Sequence, residues 1–301
     1  MADATIPYVR EIKFEYGRVD QVSPLIRRVI ANNPGPFTFT GTGTYIVGRG
    51  DVAVIDPGPD QPEHLQAILD AVAGEKVTHI LITHHHLDHS PLARPLAEAT
   101  GATIYGSAVK TPVVEDAVRT EAGSDSFTPD ISVCGGATIA GPGWTFEAIP
   151  TPGHTSNHIC YALAEENACF TGDHIMGWST TVVTPPDGNM ADYLASLDAI
   201  KRRNFKTLWP THGPPITESG PFIDAYRAHR LGRERQILAQ LAAGETRIVD
   251  MVPKMYIGVD ARLYPAAGRS VLAHLIELVK DGRVKTADGV AGTDSEYRLP
   301  G

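Results

Sequence analysis

Six consecutive residues constrain this chain more than any others: His84-His85-His86-Leu87-Asp88-His89, set directly after a β-branched apolar run at residues 77–83. A short run of that composition predicts a buried strand, so the histidines and the aspartate leave the end of a rigid support. Neutral imidazole and carboxylate are the donors that a borderline cation such as zinc prefers. On an irregular turn, His84 and His86 can aim at one point while the adjacent Asp88 and His89 address a second. One hexapeptide can therefore seed two metals. The plainer alternative is a histidine-rich surface loop.

Three further segments decide between these readings. Thr151-Pro152-Gly153-His154-Thr155 presents His154 on a turn between two predicted strands. Thr171-Gly172-Asp173-His174 sets Asp173 at the end of a strand predicted over 168–170, and Pro210-Thr211-His212-Gly213-Pro214 sets His212 after another over 207–209. Ligands at strand ends sit on preorganised supports. No P-loop, G-x-S-x-G elbow or Cys-x-x-Cys competes with this pattern.

The remaining patterning organises the chain around these segments. Strands are predicted over 37–47 and 51–56, joined at Gly48 and Gly50. A helix between Pro62 and Gly74 places Leu65, Ile68, Leu69 and Val72 on one face. Another helix over 91–99, a strand over 102–105 and strands over 145–149 and 158–163 complete an α/β layered pattern. Helices follow over 190–203 and 221–242, and Gly244 marks a boundary. Beyond it come amphipathic segments over 247–256 and 266–280, then two short segments, 283–286 and 297–299, able to pair across Asp288-Gly289. That is a winged-helix outline. The expected domains are a catalytic unit over 1–243 and a winged-helix-like unit over 244–301.

Of the 301 residues, 42% are hydrophobic and 20% charged, which supports one large core or a domain plus an appendage. The longest apolar stretch, 271–279, is too short for a membrane span and carries His274 and Glu277. The first 18 residues have no apolar signal segment. Three widely spaced cysteines, Cys134, Cys160 and Cys169, suit a reducing cytoplasm rather than a disulfide framework. The net charge of −9 is uneven: residues 1–197 carry −13 and residues 198–301 carry +4. A mildly basic final third allows, without requiring, a nucleic-acid partner.

The motif order over the first 215 residues or so resembles the metallo-β-lactamase superfamily. Asn33-Pro34-Gly35-Pro36, the stretches GTGTYIV (41–47), TPGHT (151–155) and GDHIMGWSTTVV (172–183), and AHRLGRERQIL (228–238) resemble the β-lactamase-like-protein-2 branch, which includes an endoribonuclease. The resemblance implies a four-layer αββα sandwich with a C-terminal winged-helix-like domain. It implies two zinc ions per chain, one on His84, His86 and His154, the other on Asp88, His89 and His212, with Asp173 bridging. Manganese or iron is also compatible with N/O ligands. A hydroxide between the two metals would be the nucleophile. Asp173 stands where dedicated lactamases usually have Cys or Ser, and His86 where flavodiiron oxidases have Glu. Gly43 departs from the Asn, and Leu87 from the polar residue, found in many relatives.

These features point first to phosphodiester cleavage of single-stranded RNA. Thioester hydrolysis of the glyoxalase II type, or promiscuous lactonase or β-lactamase activity on a small anionic ester, are the alternatives. A zinc-stabilised binding module is the non-enzymatic one. Catalytic roles fall on Asp88, Asp173 and His158, the last as a general acid or as a partner of a ligand. Asp56 would orient a ligand histidine from beneath, while His85 and His174 are expected to be structural. Ser179, Thr180 and Arg230 are candidate substrate contacts; Arg227, Arg230 and Arg233 recur at helical spacing and could meet phosphates. The final helix is expected to expose Arg269, His274, Glu277 and Lys280, a mixed face suited to packing on the body or to pairing two copies.

Overall fold

The computed structural model describes residues 5–109 and 127–301. Strands β1 (Val19–Gln21), β2 (Ile26–Ile30), β3 (Gly43–Arg49), β4 (Asp51–Ile55), β5 (Lys76–Leu81), β6 (Thr103–Gly106) and β7 (Ile131–Ser132) form one sheet in sequential order. Strands β8 (Thr138–Gly141), β9 (Trp144–Pro150), β10 (Ile159–Leu163), β11 (Ala168–Gly172) and β12 (Thr207–Pro210) form the second, ordered β12-β11-β10-β9-β8. The expected hairpin is present, with β3 antiparallel to β4. Parallel pairing of β4, β5 and β6 follows from the helical crossovers between them.

Alternation along the strands makes the layers. In β4, Ala53 and Ile55 join Tyr45, Leu81, Phe146, Tyr161 and Phe170 in a core between the two sheets. Val52 and Val54 face the other way, onto α1 (Pro62–Ala71) and α2 (Ala93–Thr100), where Ile68 and Leu96 meet them. On the far side, Cys160 and Cys169 turn to α3 (Met190–Arg203) and α4 (Ser219–Ala242), packing with Tyr193, Leu197, Phe222 and Tyr226. The fold is the expected four-layer αββα sandwich. All three cysteines are free, and no helix among the described residues is long and apolar enough to cross a membrane.

A fourth core lies at the C-terminus, between α5 (Ile248–Met255), α6 (Tyr264–Lys280) and Val284 and Tyr297 beyond them. Ile237 and Leu241 of α4 belong to it, so this core begins before residue 244. Docking onto the body is direct: Ala273 of α6 enters the core of α3 and α4, and the Asn189 side chain donates to Glu277 at 3.2 Å.

Several expectations need correction. Residues 37–42 are not strand, because Phe39 adopts φ +57° and the chain turns tightly there, Gly41 N–H donating to the Thr38 carbonyl. The segments 283–286 and 297–299 meet only at Lys285 and Arg298. His274 is 3% exposed rather than on an open face, because α6 lays that side on the body.

Candidate metal centre

The loop after β5 turns at once, its end closed by the His89 N–H donating to the His86 carbonyl at 3.0 Å. Residues 84–86, 88 and 89 are all buried. Three other β-strand ends bring the distant partners, His212 following β12. His154 comes from the β9–β10 turn, where Gly153 has φ +139° and a Cβ would sit 2.3 Å from the Tyr193 Cα. Gly172, with φ +51°, ends β11; a Cβ there would lie 2.6 Å from His158 Nε2 and 2.8 Å from Thr83 Oγ1. Only glycine lets the chain swing Asp173 over the site so close to these side chains.

All seven expected ligands converge, in two groups: His84, His86 and His154, and Asp88, His89, Asp173 and His212. Within each group the donor atoms lie within 4.8 Å of one another. Asp173 faces both, with Oδ1 3.5 Å from His89 and His212 Nε2 and Oδ2 3.8 Å from His154 Nε2.

The surrounding hydrogen bonds set the imidazole tautomers. The Nδ1–H of His154 donates to the Val182 carbonyl at 2.6 Å, and that of His212 to the Gly41 carbonyl at 3.2 Å. His89 Nδ1–H donates to Asp56 Oδ2 at 2.8 Å. The Thr83 hydroxyl gives its proton to Asp56 Oδ2 at 2.7 Å, so it accepts from His84 Nδ1–H at 3.1 Å. Each of these four rings therefore turns Nε2, the nitrogen left to ligate a metal, inward. His86 Nδ1 lies 3.0 Å from His84 Nε2 and 3.2 Å from His154 Nε2, so a single proton on it can serve only one of the two, whereas a cation would serve all three nitrogens. In the second group, Asp88 Oδ1, His89 Nε2 and Asp173 Oδ1 are buried without hydrogen-bond partners. Unmet buried donors and acceptors of this kind are rare except where an ion completes them, so the residues fit two divalent cations.

Electrostatics agree. Burial, then the neighbouring imidazoles, hold the His84 pKa well below its ordinary value, and His86 falls to about 3. Burial opposes charge on His89, but Asp88, Asp173 and Asp56 outweigh it and raise its pKa. One group offers only nitrogen donors and the other is rich in carboxylate.

Asp56 lies beneath the centre, wholly buried, and also accepts from the Thr83 N–H at 2.8 Å and the Thr211 hydroxyl at 3.0 Å. It thus ties β5 and the β12 loop to His89. His158 does not occupy the general-acid position considered for it. Its Nδ1 pairs with the Thr151 hydroxyl at 2.8 Å and its Nε2 accepts the Asp173 N–H at 3.3 Å, so neither nitrogen is left for a substrate. Its place is to hold the Asp173 backbone. His85 turns away to the Ser107 carbonyl at 2.8 Å, and buried His174 packs against Tyr193 outside both groups.

A cavity of about 660 Å³ opens from His86, Asp88, His154 and Asp173 and runs to the C-terminal helices. Ser179, Thr180 and Arg230 line it. Sequence reasoning missed its other walls: Tyr8 and Arg10 of the N-terminal arm, Met176 and Trp178 after β11, and Tyr256, Val259 and Leu263 near α5 and α6. Of these, Met176 and Trp178 carried a signal, inside the string that suggested the branch.

Comparison with known proteins agrees with this geometry. The model of the metallo-beta-lactamase superfamily matches residues 38–212, and that of the beta-lactamase associated winged helix domain matches residues 248–292. A beta-lactamase-like protein 2 homolog of Caenorhabditis elegans is 33% identical over 272 residues, covering 89% of this chain and 88% of that protein. The atrochrysone carboxyl ACP thioesterase dmxR1 of Cryptosporiopsis sp. is 32% identical over 246 residues, covering 79% and 67%. A beta-lactamase domain protein from Burkholderia ambifaria superposes with a TM-score of 0.77 at 20% identity, over 94% of each chain. With its paired histidine and aspartate clusters and its winged-helix companion, the chain belongs to the metallo-β-lactamase superfamily.

Proposed function

We propose that this protein is a dinuclear, zinc-dependent hydrolase acting on a carboxylic ester or thioester whose acyl part fills the cavity beside the metal centre. The observation that carries this reading is the fate of the arginines. A polyanion such as single-stranded RNA requires free cations along its path. Arg227 instead pairs with Asp198 at 3.2 Å, and Arg233 donates to the Met255 carbonyl at 2.7 Å, so the arginines of α4 do not form a continuous basic track. Meanwhile Ile6, Met176, Trp178, Val182, Val259 and Leu263 give the cavity apolar walls suited to an acyl chain. The thioesterase names among its relatives favour the same chemistry.

Divalent ions held by the seven residues supply Lewis acidity and a water that is nucleophilic near neutral pH. The chain's own groups do the rest. Asp88, which faces His212 Nε2 at 3.1 Å through Oδ2, would accept the attacking water's proton on its carboxylate and pass it to the departing alkoxide or thiolate. His158 keeps the Asp173 backbone in register, and Asp56 fixes His89. The apolar cavity wall would limit water at the scissile carbonyl. Three free cysteines suit a reducing, cytoplasmic setting.

A side-by-side panel tests the reading: metal-loaded protein with acyl thioesters, 4-nitrophenyl acyl esters, nitrocefin and single-stranded RNA, with Asp88→Ala as the blank and elemental analysis for metal. Acyl ester and thioester turnover above the others, with two zinc ions per chain, is expected. RNA cleavage without ester turnover would instead return the phosphodiester reading to first place.

A further inference from the structure

Arg230 lies on the cavity wall yet is only 3% exposed. Its Nη2 donates to the Thr181 carbonyl and its guanidinium lies 5.1 Å over the Tyr193 ring, but its buried Nε has no partner. Among the described residues no carboxylate pairs with it. The groups around it add no negative charge: His274, buried with an unpartnered Nε2, and Arg233 and His229 on the same wall. Glu277, the acid of α6, is turned to Asn189 and Lys280. A buried guanidinium without an anion is costly to keep. Arg28 is also buried with unpartnered nitrogens, but it is not part of this wall. Arg230 differs because a small molecule in the cavity can reach it.

Resting on the ester-hydrolase reading, we infer that Arg230 is an anion subsite: the substrate carries a carboxylate or phosphate, remote from the scissile carbonyl, that seats on this guanidinium. The cavity then measures its substrate between two charges, cations at one end and Arg230 at the other. Helices α4 and α6, which supply Arg230 and Ser270, set that distance. The apolar walls between accept the methylene chain.

The test compares 4-nitrophenyl esters of succinate, glutarate and adipate, and their ω-phosphono counterparts, with neutral acyl esters of matched length. Wild type should prefer one length of anionic ester by roughly 10-fold or more in kcat/KM, chiefly through KM. Arg230→Met should abolish that preference while still hydrolysing the neutral esters; Arg230→Lys should restore part of it. Arg28→Met should leave the ratio intact. The carboxylate and phosphonate arms identify the anion. Neutral and anionic esters turned over alike by wild type would overturn the subsite while leaving the hydrolase standing. Should no ester turn over, NMR titration of glutarate and inorganic phosphate into folded wild type and Arg230→Met decides independently: binding weakened about 10-fold by the substitution supports the subsite, and unchanged or absent binding overturns it.

Discussion

The metal centre and the cavity beside it are built in opposite ways. Ligands of the centre leave strand ends or the tight turns beside them, and their tautomers are fixed by carbonyls and by Asp56, so the site is preorganised. The cavity takes its walls from an N-terminal arm, a loop after β11, helices α4 and α6 and the segment between α5 and α6, which meet only through tertiary packing. Chemistry is thus held on hydrogen-bonded strand ends and selection by parts that can be repacked. A family built this way can keep one centre and change its substrate.

Perturbing the centre should be catastrophic. Asp173→Ala removes the carboxylate that faces both ligand groups, and a loss of roughly 10³-fold in kcat together with bound metal is expected by elemental analysis and kinetics. Asp56→Ala leaves every ligand in place but frees His89, Thr83 and Thr211; metal affinity should fall roughly 10–100-fold in a chelator competition. Unchanged affinity would mean the centre does not depend on its base. Gly172→Ala forces a Cβ against His158 and Thr83 at positive φ, so thermal denaturation should show a loss of about 1–3 kcal/mol.

On the cavity side the effects should be smaller and selective. Ala266→Trp should lower turnover of long acyl esters by about 10-fold, spare short ones and leave metal content untouched. If metal is lost too, the two regions are less separate than their construction suggests.

Acid should probe both regions through buried neutral histidines. Burial lowers the pKa of His64, in the body, to about 4 and that of His274, behind the cavity, to about 3. The unfolded chain takes up a proton near pH 6.5 that the folded one refuses. Stability is therefore full above that pH and falls by about 1.4 kcal/mol per pH unit for each histidine, down to its folded pKa. Denaturant titrations from pH 7 to pH 4.5 should show a shallower slope for His274→Leu than for wild type.

This contrast also explains what could be read in the sequence. His84, His86, Asp88 and His89 are contiguous and follow a β-branched run; His154, Asp173 and His212 each sit in a turn with its own glycine. Local grammar announced all seven. Nothing local announces that Tyr8 and Leu263 would line one cavity, that His274 would be covered, or that Arg230 would turn inward while Arg227, one turn earlier, reaches α3. Those facts arise from how α4 and α6 dock, which helical periodicity does not encode. The role considered for His158 failed for a related reason: spacing placed it near the site, but only three dimensions reveal that Thr151 and the Asp173 backbone use both nitrogens.

Helix α4 runs unbroken from Phe222 and Tyr226, inside the body, to Ile237 and Leu241, inside the terminal cluster. It is a shared beam rather than a hinge. Cutting the polypeptide at residue 243 would strip Ile237 and Leu241 of their neighbours and wet a greasy flank of the remaining piece. A shortened protein would therefore report on solubility before it reported on specificity. Grafting the tail of one relative onto the trunk of another should succeed only when the splice falls upstream of this beam, so that it travels whole.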